Sequence, residues 1–171
     1  VTAAEFAIDF ASRPAEPKDH AFIVDSFFRS YLASGHVAGI RDRFSALVGQ
    51  PFRACLRNVE DKPDALLAAR VVYPVEEPTE IAGYAVWSPR HRCLLYILRK
   101  PAYAGCGVTA SLLRTMPTTV STEARDQRPY LIHSFSTAAF SRVCGQLGIR
   151  TRYSPFLFLR ILDELTEDPT T

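Results

Sequence analysis

The residues best suited to chemistry lie between Ile81 and Met116, where two apolar β-type runs lead into a loop holding Gly105 and Gly107. Ile81 to Trp87 is rich in β-branched and aromatic residues, Cys93 to Leu98 is a second apolar run, and Ser88 to His91 between them has the length of a hairpin loop. Pro101 stops the pairing, and Val108, Leu112, Leu113 and Met116 then recur at helical spacing. A strand that runs into a glycine-bearing loop and opens a helix leaves backbone N–H groups without intrahelical partners at the loop mouth. Those donors favour a negatively charged group such as a phosphate, so Ala104 to Thr109 is a candidate anion cradle.

Other clusters point less sharply. Arg90, His91 and Arg92 make a basic hairpin tip, and Arg41, Arg43, Arg53 and Arg57 lie along a second helical region. Such charges can rim a nucleic-acid or acidic-protein surface, but no aromatics are interleaved and no DNA-binding motif is present, so they read as surface charge. Cys55, Cys93, Cys106 and Cys144 form no C-x-x-C pair and have no histidines at metal spacing. They signal neither a zinc site nor a disulfide framework.

The elements that must position the loop follow from periodicity. Phe6, Ile8 and Phe10 alternate with polar or small residues as a half-buried first strand closed by Pro14 and Pro17. Asp19 can cap a helix carrying Val24, Phe27, Phe28, Tyr31 and Leu32, ended by Gly35. A second helix is expected from about Ile40 to Val48, continuing briefly through Cys55 and Leu56 after Pro51, and Asp61 to Asp64 form a loop. Ala65 to Tyr73 is a strand candidate turned back by the PVEEPTE segment. After the central helix, Pro117 to Arg128 reads as loop, Tyr130 to Phe135 as a strand, and Phe140, Val143, Cys144 and Leu147 as one helix face with Thr137 as N-cap and Gly148 as stop. Tyr153 to Leu162 reads as a last strand.

With 171 residues, 47% of them hydrophobic and 22% charged, the chain is expected to be a single domain over 1–171 with a tail fraying from about 164. A net charge of +2 is too mild to imply a nucleic-acid partner. No run reaches membrane-span length, and the acidic residues in VTAAEFAIDF do not suit a signal peptide, so the expectation is a cytoplasmic chain with no membrane partner.

The loop and the order β-α-α-β-β-β-α-β-α-β together resemble the GNAT superfamily of N-acetyltransferases. In that family a strand feeds a loop of Arg or Gln, two variable residues, Gly, one variable residue, then Gly or Ala. Here the six positions are Ala104, Gly105, Cys106, Gly107, Val108 and Thr109, so the central glycine is kept while the first and last positions depart from the pattern. The resemblance implies an α/β (α+β) fold, a mixed and mostly antiparallel sheet flanked by helices. It is nearest to small GNAT-like proteins of tailed bacteriophages, through the Gly83 to Trp87 strand, the basic residues before Pro101 to Tyr103, and Tyr153, Ser154 and Pro155. A phage-encoded chain would reside in the host cytoplasm or the virion.

The same resemblance implies acetyl-CoA, or another acyl-CoA, as cofactor, and transfer of its acyl group to an amine. Its pyrophosphate would sit on the loop, and backbone N–H groups near Ile97, Leu98 and Arg99 would stabilise the oxyanion. Arg99, Lys100 and Arg114 could meet CoA phosphates. The strand before the loop carries no carboxylate base, which leaves His133 on the next strand, or a water relay. The family's tyrosine acid falls at Cys144, with Tyr153 and Tyr96 as substitutes, and Trp87 could wall an acceptor pocket. The altered positions keep a second expectation open, a catalytically silent interaction or structural module with a protein partner, such as a virion component. No residue pattern specifies the acceptor.

Overall fold

Residues 68 to 72 alternate between two destinations, Ala69 and Val71 facing one apolar cluster and Ala68 and Val72 the other, because the sheet they belong to is covered on both sides. The computed structural model describes residues 8–33, 42, 52, 56, 62–120 and 128–167. Its strands are β1 (Phe10–Pro14), β2 (Ala68–Pro74), β3 (Gly83–Ser88), β4 (Cys93–Arg99), β5 (Thr119–Val120), β6 (Pro129–His133) and β7 (Arg150–Tyr153), and its described helices are α1 (His20–Ala33), α2 (Val108–Arg114), α3 (Ala138–Gln146) and α4 (Pro155–Glu167). Strands β1 to β4 form an antiparallel meander, β6 then runs parallel to β4 and to β7, and β5 pairs antiparallel with β6. The fold is an α/β mixed sheet, mostly antiparallel and flanked by helices, as the sequence led one to expect.

Helices α1 and α4 cover one face through Ile23, Phe27, Tyr31, Phe158, Ile161 and Leu165. Helices α2 and α3 cover the other through Val108, Leu112, Leu113, Phe140 and Cys144. The N-cap and stop expected for α3 are both present. Thr137 Oγ1 accepts from the Phe140 N–H at 3.1 Å. Gly148 (φ 64°) turns the chain left-handed, with Gly148 N–H donating to Gly145 O and Ile149 N–H to Cys144 O.

Several sequence expectations are corrected. Tyr153 to Leu162 is not a strand: β7 ends at Tyr153 and Pro155 begins a helix, in which Phe158, Ile161, Leu162 and Leu165 recur at helical spacing on the buried face. That helix runs through Glu167. The first strand runs Phe10–Pro14, with Ile8 exposed ahead of it, and tolerates Pro14 because β1 pairs on one side only. A short strand, β5, occupies part of the expected Pro117 to Arg128 loop. The second predicted helix lies outside the described residues, except that Asp42, Phe52 and Leu56 are helical and the last two are buried.

Candidate functional site

Strands β4 and β6 pair for only two residues, Cys93 with Ile132 and Leu94 with His133, followed by a bond from Ser134 N–H to Leu94 O at 3.0 Å. Beyond that rung they part. Strand β4 continues along β3 to Arg99, while the chain after Phe135 turns into the Thr137 cap of α3. The separation begins at a β-bulge: Trp87 pairs with Leu94 and Val86 with Tyr96, so Leu95 is unopposed. A bulge bends its strand and puts two successive side chains on one face, and Leu95 and Tyr96 both join the α1-side cluster. Lys100 N–H donates to Ala82 O at 2.8 Å. That fixes the alternation, so Leu98 and Tyr96 turn their backbone groups to β3 and Ile97 and Arg99 turn theirs to the open edge of the fork.

The fork opens into a cleft of about 630 Å³, walled by Tyr96 to Arg99, the loop, the start of α2, Phe135 and α3. At the loop a single 3-10 turn, Pro101–Tyr103, ends in buried Tyr103, which packs edge-on against Phe10. Gly105 (φ 82°) and Gly107 (φ 80°) then adopt left-handed backbone, which explains glycine at both, and Gly107 caps α2. A Cβ at either would meet nothing within 4 Å, so the loop's outer face is open. By helix geometry the N–H groups of Val108, Thr109 and Ala110 lack intrahelical partners. Gly83 holds this end of α2 close to the sheet, since a Cβ there would fall 2.7 Å from Val108 Cγ1.

The cleft's charged side chains, among the described residues, are Arg99 and Arg142, and no carboxylate is on its wall. Arg142, Ala139, Val143 and Gln146 form the α3 wall at spacings of three, four and seven. Sequence reasoning passed over Arg142. The stripe could be read in the sequence once that helix face was known to look across the fork.

Of the residues expected to hold a cofactor, Ile97, Leu98, Arg99, Gly105, Gly107, Val108 and Thr109 come together on the cleft wall. Ala104 and Cys106 are exposed beside it. The three proposed catalytic residues lie elsewhere. His133 is buried, its Nδ1–H donates to Phe135 O at 2.7 Å, its ring packs on Phe140 and Tyr153, and burial lowers its pKa toward the neutral form. Cys144 is buried in the α2–α3 core, where burial raises the thiol pKa. Tyr153 is half exposed at the end of β7.

Other candidate residues also have structural partners. Lys100 turns away from the cleft to Glu80, at 3.5 Å, and over the Phe22 ring. Trp87 is core. The basic hairpin tip is partly neutralised, because Arg90 and His91 both reach Glu164 on α4, at 3.2 and 3.0 Å. Among the described residues no helix is long and apolar enough to cross a membrane. No protein-family model matches this chain, and no curated protein matches it.

Proposed function

We propose that the chain is an acyl-CoA-dependent N-acyltransferase of the GNAT type, using acetyl-CoA or a related thioester and an amine acceptor. The observation that carries this reading is one cleft combining a parallel fork, whose free edge offers backbone groups of Ile97 and Arg99, with a two-glycine loop that is open on its outer side. CoA has an amide-rich arm that an unpaired strand edge can hydrogen-bond and a pyrophosphate suited to clustered backbone N–H groups. The residues present fit such a molecule, since the space beside Gly105 and Gly107 is clear and both charged side chains on the wall are cationic.

The thioester supplies an electrophilic carbonyl with a thiolate leaving group. The loop from Gly105 to Thr109 holds the pyrophosphate, and Arg99 and Arg142 offset phosphate charge. The N–H of Ile97 or Arg99 receives the carbonyl oxygen and stabilises charge developing there. The phenol of Tyr96 is turned into the α1-side core, where burial raises its pKa and it hydrogen-bonds Ser30, so the departing thiolate takes its proton from water. The amine gives its proton to water, in the absence of a carboxylate on the wall. Calorimetry with acetyl-CoA followed by thiol release with a panel of amines tests the reading. No binding up to about 1 mM acetyl-CoA, beyond the range of a specific cofactor site, refutes it.

One observation favours a second reading, a GNAT-type module that has lost transfer and serves as an interaction or structural component. Tyr96 and Phe135 meet edge-to-face across the fork at 4.8 Å, with Tyr31 within 6 Å of both. These rings block the fork toward α1, so an amine must enter from the cleft side. Thioester binding without turnover, restored by Phe135→Ala, would locate the obstruction there.

A further inference from the structure

The fork between β4 and β6 has a floor. Phe135 is the first residue past the Ser134 rung, and its ring reaches the β4 arm, where it meets Tyr96 edge-on at 4.8 Å. Behind this pair lies Tyr31 of α1, with ring centroids 5.7 Å from Phe135 and 5.9 Å from Tyr96, itself stacked on Phe158 of α4 at 4.7 Å. Polar bonds fix the assembly in place. Tyr31 Oη donates to Leu95 O at 2.6 Å, the phenol of Tyr96 hydrogen-bonds Ser30, and Phe135 O accepts from His133 Nδ1 at 2.7 Å. The hydroxyls of both tyrosines are thus tied into the core, whereas the Phe135 side chain is held by its packing and also lines the cleft.

If the cleft takes an acyl-CoA as proposed above, the order of parts along β4 decides where the acyl group goes. With the pyrophosphate on the loop after β4, the arm runs back past Arg99 and Ile97, and its thioester end arrives at these rings. We propose that Phe135 is the residue that limits acyl length, so that the donor is a thioester of a short acyl group, acetyl or propionyl. A longer chain has to displace a ring backed by α1 and α4, because the arm itself fills the cleft side of the fork. Close-packed interiors do not yield that space freely, and one methylene too many in an apolar pocket lowers binding by about 10–200-fold.

Calorimetry with free CoA and with acetyl-, propionyl-, butyryl- and hexanoyl-CoA tests this on the wild type, on Phe135→Ala and on Phe135→Leu, which keeps an apolar side chain in the core. The wild type should lose at least about tenfold in affinity between propionyl- and butyryl-CoA. Phe135→Leu should move that step to a longer chain, and Phe135→Ala should bind butyryl-CoA about as tightly as acetyl-CoA, with the affinity for free CoA unchanged in both. A wild type that binds CoA but takes hexanoyl-CoA as tightly as acetyl-CoA overturns the proposal and leaves the reading of the cleft standing. Variants that keep the wild-type step overturn it in the same way. If neither free CoA nor any thioester binds the wild type, the reading of the cleft falls and this inference falls with it.

Discussion

Gly83→Ala should unseat the helix that carries the loop. The added Cβ would lie 2.6 Å from Leu98 O, 2.7 Å from Val108 Cγ1 and 3.3 Å from Arg99 Cα. Neither close neighbour can swing away, since one is backbone of a paired strand and the other a fully buried, β-branched side chain. Overpacking of this kind costs about 1–3 kcal/mol. Replacing a strand glycine restores about 0.5–1 kcal/mol through the less flexible unfolded chain. The net loss is centred on about 1 kcal/mol within a span of about 0–2.5 kcal/mol, and for a chain of this size about 1 kcal/mol lowers Tm by about 2–4 °C. Thermal and urea unfolding of Gly83→Ala, Val108→Ala and the double variant would measure it. The two changes should couple by about 0.5–2 kcal/mol, since Val108→Ala removes one of the two short contacts. Additive effects, or an unchanged Tm in Gly83→Ala, would refute the view that this close approach seats α2.

Gly107→Asp should abolish thioester binding by calorimetry while Gly107→Asn keeps a measurable part of it, because both side chains tolerate left-handed backbone and only one repels phosphate; equal losses would implicate strain instead. Arg142→Gln should weaken binding by about tenfold, the worth of one charge-assisted bond, and flatten its salt dependence. For His133, burial lowers the folded pKa below its ordinary value of about 6.5, so the unfolded chain binds the proton first as pH falls. Its contribution is intact above about pH 6.5 and is lost as pH falls toward the lowered folded value, so His133→Asn should have a flatter urea midpoint than wild type between about pH 7.5 and 5.5. Parallel pH curves would contradict that.

The parts of the fold legible in the sequence were those encoded locally. The stripe of α1, the hairpin at Ser88 to His91, the loop glycines and the cap and stop of α3 each rest on residues a few positions apart, and the structure has them all. The run from Tyr153 to Leu162 misled because a continuous apolar stretch does not separate strand from helix. There the decisive stripe runs on to Leu165, past the expected end of the element. The bulge at Leu95 was hidden for a related reason: Cys93 to Leu98 is apolar at every position, so a slip in facing leaves no mark. Lys100, Arg90 and His91 looked available because their carboxylate partners, Glu80 and Glu164, are 20 or more residues away in sequence. Arg142 was passed over because its meaning depends on what lies across the fork.

The short union of β4 and β6 also bears on how the molecule comes apart. Two residue pairs and the Ser134 rung are the backbone seam between a four-stranded meander and the strands β5 to β7, whereas β3 and β4 are paired from end to end apart from the bulge at Leu95. Regions with few shared backbone bonds open at lower free energy than the global transition, as separate cooperative units. The Ser134 amide should therefore exchange its hydrogen sooner than that of Val86, although both are buried. Anything that lies in the fork and bonds to both arms stitches the seam, so occupancy would register as slowed exchange at Ser134 even with no change in shape.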